Sequence, residues 1–384
     1  MKRTVALGDV HLTRGAPAHI VSDVARFFDA HRGHRVLLTG DVLDLSADAP
    51  HAETKRAHER VLAHPEVARA MATHLDVGGE IFWVAGNHDA AVGNDGFGAR
   101  LAEALGVRGE AAKRLHASPW FFRLDGVHLE HGHRFDPDNA PAHPLAHGPS
   151  LGVTFVEEFI VPTGAHAYLN ANDGTPLDLF LSSFKWYGAR APYVIARFFT
   201  TAASALKKSG KGFDVATQMH EGTEKQADFA STHAMTHDEI EALLDLGATP
   251  TLVDPRDTFS RLYLDRVAAT LAITGGITAF AMGNRKTGAA LALLGGLVMA
   301  ASWARGHDRY GGAVTERLAD GAGRIAALTG HPLVVFGHTH HQMSAGAYAN
   351  PGSFAFAKGA PGRPFLEIES ADSRRPNAVL RHFA

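Results

Sequence analysis

The first third of the chain alternates short apolar runs with segments of helical spacing. Thr4 to Leu7, Arg35 to Thr39 and Glu80 to Ala85 are short, continuously apolar runs, and each is followed by a glycine and then a polar residue. Between the first two runs, Ile20, Val24, Phe27 and Phe28 recur at the helical period within 20–30, and a second helical stretch covers about 52–75. This β-α-β-α-β rhythm predicts a sheet buried on both faces, with polar motifs just beyond its strand ends. Farther along, 120–124, 127–130, 333–336, 345–349 and 365–369 read as strands of a second sheet. The region between them reads as helical, and Thr236 to Glu239 has the form of a capping box ahead of 240–246. The predicted organisation is an α/β domain built from 1–136 and 311–384, with 137–310 inserted as a large, mainly helical cap.

Composition narrows the chemistry. The chain has no cysteine, which excludes disulfides and thiolate metal sites, so any metal must sit on His, Asp, Glu or Asn. A net charge of -3 provides no overall basic field, and no nucleic-acid partner is expected. The start, MKRTVALGDVHL, runs into the first strand without an apolar leader, which predicts a cytoplasmic location.

Five polar blocks follow apolar strands in order: Gly8-Asp9-Val10-His11, Gly40-Asp41-Val42-Leu43-Asp44, Gly86-Asn87-His88-Asp89, His131-Gly132-His133 and Gly337-His338-Thr339-His340. Each offers oxygen or imidazole donors. In an extended segment residues i and i+2 face the same side, so Asp9 and His11, or His338 and His340, can serve one cluster. A lone Gly-Asp or Asn-His is ordinarily turn chemistry, and a lone His-x-His binds metal in a minority of cases. Five in fixed order, each after a strand, point to a metal site.

These blocks, with the Asn350-Pro351-Gly352-Ser353 loop, resemble the calcineurin-like metallophosphoesterase superfamily over roughly 1–136 and 311–370. The resemblance implies an α/β/β/α sandwich of two mixed sheets and hydrolysis of a phosphate ester or pyrophosphate by two divalent ions. It implies that Asp9, His11 and His340 hold one ion, that Asn87, His131 and His338 hold the other, and that Asp41 bridges them. His88 is then catalytic, stabilising or protonating the leaving oxygen, and Asp44 orients its ring. His133 either meets substrate or only packs. Manganese is the metal the resemblance favours, with iron or zinc also suited to oxygen and nitrogen donors.

The insertion carries two further signals. Residues 180–213 contain Lys185, Arg190, Arg197, Lys207, Lys208 and Lys211, eight aromatic residues and no Asp or Glu. Cationic and aromatic residues together suit the headgroup layer of an anionic membrane, or else a helical cap with its aromatics turned inward. Within 267–304 two uncharged runs flank Asn284-Arg285-Lys286. Each is about 26 Å long as a helix, near the lower limit for crossing a bilayer. An apolar hairpin follows, either entering a membrane from its inner face or buried in the cap or a dimer. The expected substrate is a phosphorylated small molecule or lipid. An amphiphilic substrate at a membrane surface accounts for both signals. A soluble phosphomonoesterase or nucleotide phosphodiesterase with a simple lid is the alternative, and a metal-poor binding scaffold is a third reading that the full donor set argues against.

Overall fold

In the computed structural model, which describes residues 3–48, 57–146, 148–166, 176–306, 313–357, 361–369 and 376–384, eleven strands form two sheets. The first runs β11-β10-β1-β2-β3-β4, with β1 Thr4–Leu7, β2 Arg35–Leu38, β3 Glu80–Val84, β4 Leu115–Ser118, β10 Arg363–Glu369 and β11 Asn377–Phe383. Strands β1 to β4 are mutually parallel, and β10 and β11 add antiparallel pairs at the β1 edge. The second sheet runs β5-β6-β7-β9-β8, with β5 Phe121–Leu124, β6 Val127–Glu130, β7 Leu333–Val335, β8 Gln342–Ala345 and β9 Tyr348–Pro351. Both sheets are mixed.

Side-chain alternation along each strand builds four layers. Ala6, Leu37, Phe82 and Val84 on one face of the first sheet meet Val127, Leu129, Leu333 and Val335 of the second. The opposite face of the first sheet, with Val5, Leu7, Val36, Leu38, Ile81 and Trp83, packs on helices Ala18–Ala30, Pro65–Asp76 and Phe97–Ala104. The outer face of the second sheet, with Phe121, Val334 and Phe336, packs on helices Val215–Thr232, His237–Leu244 and Val314–Thr329. This is the α/β/β/α arrangement.

Three expectations need correction. Residues 365–369 do form a strand, but it joins the first sheet beside β1 rather than the second. Apolar alternation marks a strand and leaves its partner open. The single strand expected over 345–349 is the β8–β9 hairpin, turned at Gly346 and Ala347 with Gly346 at φ 60°. The helix expected over 52–75 is broken, with Ala57–Leu62 ending before Pro65–Asp76 begins. Pro65 cannot donate to a preceding turn and disfavours helical backbone at His64. Residues 52–56 of that stretch lie outside the described ones. The capping box is present, with Thr236 Oγ1 accepting from Glu239 N and Thr236 N donating to the Glu239 carboxylate.

The chain divides into two compact units. One comprises Met1–Glu157, Val215–Pro250 and Val314–Ala384, and the other Glu158–Asp214 and Thr251–Ala313. The first is therefore larger than 1–136 and 311–384, because helices Val215–Thr232 and His237–Leu244 supply part of the second sheet's core. In the second unit, helix Ala191–Lys208 packs on Pro176–Tyr187 and Pro255–Arg261, and helix Leu264–Ala281 lies along Arg285–Ala304.

A buried ionic group ties β6 to the outer helices. Glu130 accepts from Arg134, whose guanidinium also donates to the Leu243 carbonyl and lies over Trp120 and Phe135. Burial raises the Glu130 pKa, but Arg134 and His128 outweigh it and bring it down to about 2. A carboxyl depressed in the fold stabilises it above the unfolded pKa and loses that contribution as pH falls toward the folded value. Urea titrations should therefore show a Glu130-dependent loss of stability between about pH 4.5 and 2. At pH 7 Glu130→Gln should cost about 3–5 kcal/mol by leaving Arg134 buried opposite a neutral group.

Candidate metal centre

The parallel strands β1, β2, β3, β6 and β7 each carry one polar block at the C-terminal end. Backbone bonds lock the loops together: His11 N donates to Asp41 O at 2.9 Å, Gly337 N to His131 O at 3.0 Å and Asn350 Nδ2 to Gly337 O at 2.6 Å. The approach is close enough to require glycine. A Cβ on Gly86 would lie 2.1 Å from Asp41 Oδ1, and one on Gly40, at φ 93°, 2.6 Å from the His131 ring.

The seven expected ligands meet in this one place. His11 Nε2 is 3.2 Å from His340 Nε2, which is 3.4 Å from Asp9 Oδ1. His131 Nε2 is 3.1 Å from Asn87 Oδ1 and 3.1 Å from Asp41 Oδ2. Donor atoms of Asp9, His11 and His340 fall within 4.8 Å of one another, as do those of Asp41, His131 and His338 and those of His11, Asp41 and His88. An ion bonded at about 2.0–2.2 Å to two donors holds them roughly 3.0–3.4 Å apart, so the oxygen and imidazole set fits divalent metal without rearrangement. Five of these residues (Asp9, His11, Asp41, His338 and His340) have positive φ between 48° and 70°. Non-glycine side chains pay for that conformation in strain, which is concentrated here at the donors.

The sequence model of the calcineurin-like phosphoesterase family matches residues 2–190. Over that stretch the chain carries a calcineurin-like phosphoesterase domain. Family members are metal-dependent phosphoester hydrolases. A search of curated proteins found no match. In this phosphoesterase the matched stretch holds four of the five blocks and ends inside the insertion. The fifth block, carrying His338 and His340, comes back to the site only through β7.

Around the donors the phosphoesterase has a layer of orienting groups. Asp44 Oδ1 lies 3.1 Å from His88 Nδ1, and its Oδ2 lies 3.4 Å from His11 Nδ1, so one carboxylate steers both rings. Burial works against charge on His88, but Asp44 and then Asp41 outweigh it and push the imidazole up to about 10. Asp44 is held well below the usual carboxylate range because His88 and His11 overcome its own burial. His131 Nδ1 donates to the Thr39 carbonyl at 2.7 Å, which leaves Nε2 free for metal.

Four contributors had no role in the sequence reading. Ser46 Oγ sits 2.8 Å from Asp44 Oδ1 and 2.7 Å from His88 Nδ1. Asp89, the last residue of its block, accepts from the backbone amides of Asp41, Val42, Leu43 and Gly86 and from the Trp83 indole. Asp136 Oδ2 lies 2.9 Å from His338 Nε2 and accepts from Asn139, whose Oδ1 accepts from Asn87 Nδ2 at 3.2 Å. Asp136 lies five residues beyond His131 and acts on His338, 202 residues away, so no local spacing marked it. His133 lies beside His131 and His338 with ring centroids 5.3 and 6.4 Å away, outside the three donor groups.

Asp136 and Asn139 thus orient two donors of one ion, His338 and Asn87. Asp136→Ala should lower affinity at that position by about 10–100-fold and leave the ion near Asp9 in place. Isothermal titration of the metal-free protein should show one weakened and one unchanged binding step.

Proposed function

We propose that this phosphoesterase cleaves a phosphate-ester or pyrophosphate bond of an amphiphilic, lipid-linked substrate at a membrane surface, using two divalent ions, with manganese the favoured metal. The observation that carries the reading is the convergence of seven donors beside His88 and Asp44. Asp9, His11 and His340 would hold one ion, and Asn87, His131 and His338 the other. Asp41, which belongs to a donor group with His131 and to another with His11, would be shared between the two positions. When bound, such a pair supplies Lewis acidity, acidifying water and neutralising charge on phosphoryl oxygens. Once Asp41 is engaged by metal, Asp44 remains as the counter-charge that keeps His88 protonated. The imidazolium then hydrogen-bonds the leaving oxygen and transfers its proton as the P–O bond breaks. Ser46 and Asp44 both hold Nδ1, which turns Nε2 toward the reacting group.

His88→Ala should lower turnover by about 100-fold or more on a substrate with a poor leaving group. Its metal content, by elemental analysis, should stay at two ions. Asp41→Asn should lose metal as well as activity. Loss of metal from the His88 variant would make His88 a ligand instead.

The amphiphilic part of the reading rests on exposed apolar groups. Phe356, 57% exposed, lies against the donor cluster, 5.9 Å from the His11 ring and 6.2 Å from that of His340. In the second unit Phe180, Phe184, Tyr193 and Phe199 are exposed, as are Leu271, Ile277, Leu293, Leu294 and Leu297 on the two long helices. Not all of the basic stretch is free. Lys208 pairs with Glu158, Arg197 donates to the Glu158 carbonyl and Arg190 to that of Thr163. Lys185, Lys207 and Lys211 remain for anionic headgroups, each worth up to about 1 kcal/mol and sensitive to salt. Apolar burial is indifferent to salt. Expressed protein should therefore stay in the membrane pellet through a high-salt wash and leave it in detergent. Removing 267–304 should make the residual binding salt-extractable. Protein found in the soluble fraction at low salt would favour the alternative, a soluble phosphomonoesterase or nucleotide phosphodiesterase.

A further inference from the structure

Helices Leu264–Ala281 and Arg285–Ala304 are built for an apolar solvent on every side but the one they share. Their common face is backbone against backbone. A Cβ on Gly276 would lie 2.5 Å from Ala292 N, one on Gly288 2.5 Å from Phe280 N, and one on Gly295 2.8 Å from Ala269 O. Such contact is the way helices associate where no hydrophobic force drives them together. The remaining faces carry the exposed leucines and isoleucine named above, so neither helix has the polar side of an amphipathic surface helix.

The polar side chains are disposed the same way. Thr270, Thr274 and Thr278 each return their hydroxyl to a carbonyl four residues earlier, at 2.8, 2.9 and 3.0 Å. The exposed Thr223 and Thr232 of helix Val215–Thr232 bond in the same way, so these bonds only leave the three hydroxyls satisfied without water, as hydrocarbon requires. Charge is confined to the two ends. At the base, Arg266 donates to Ser302 Oγ and to the carbonyls of Ser302 and Gly306, and its guanidinium lies over Tyr263 and Trp303. At the tip stand Asn284, Arg285 and Lys286. The uncharged runs between the two ends are about 26 Å long, enough to cross a hydrocarbon core of about 30 Å only near the lower limit of length.

We infer that the hairpin spans the bilayer completely, with its Asn284–Lys286 tip in the headgroup layer opposite its two ends. A tip that stopped in the core would strand two cations in hydrocarbon, and a hairpin lying flat would hold one apolar side in water. This rests on the membrane reading above and adds a topology to it.

The absence of cysteine makes a direct test possible. N284C places a thiol at the tip, and K113C places one on an exposed position of the first unit. Spheroplasts of an expression host are treated with a membrane-impermeant maleimide before and after lysis. The two thiols should report opposite sides, with N284C labelled in intact spheroplasts and K113C labelling lost until lysis. Membrane-bound protein whose two thiols label together would overturn the crossing and leave the surface reading standing. Protein in the supernatant, monomer or dimer by gel filtration, would overturn both.

Discussion

One buried carboxylate fixes the frame on which the site is drawn. Asp89 gathers four backbone amides and an indole, from the loop after β2 and from its own turn after β3. It thereby sets the distance between two loops that a parallel sheet alone leaves free beyond its last ladder bond. Asp41, Asn87 and His88 all stand on backbone that this carboxylate determines. Removing the charge would leave amides buried without acceptors, a cost that falls on donor placement before it falls on the core.

Strain at the donors is held on that frame. Five ligands hold left-handed backbone and two imidazole nitrogens face each other at 3.2 Å, arrangements that have no purpose in a protein without metal. Neighbouring loops over-determine them: Ser353 Oγ donates to the Asp9 carbonyl, Asn350 to that of Gly337, and His338 N to the Asp9 carboxylate. The layered sheets are thus the rigid body against which an unfavourable arrangement of donors is held ready.

Much of this was legible in the sequence, for identifiable reasons. Strand ends carrying Gly-Asp, Gly-Asn-His and Gly-His-x-His could be read because donors and the glycines they need are adjacent in the chain. The apolar hairpin could be read because its periodicity is absent over two whole helices. Residues 365–369 went to the wrong sheet because strand pairing depends on which edge is vacant. Ser46, Asp136 and Asn139 were silent because they act through another side chain, and nothing in local spacing says which ring a carboxylate will meet. The seat of helices Val215–Thr232 and His237–Leu244 in the catalytic unit's core was hidden too, since an amphipathic helix shows its apolar face without showing what covers it.

Five of the seven candidate donors precede the hairpin and two follow it, and the late pair, His338 and His340, falls in two different donor groups. The order of synthesis therefore governs maturation. A ribosome that has made the first four blocks has made neither complete metal position, and β7, β9 and β10 are still missing from both sheets. The last block emerges only after the whole hairpin has been synthesised. A chain that ends before His338 therefore lacks two of the seven donors, whatever else of the fold it has made.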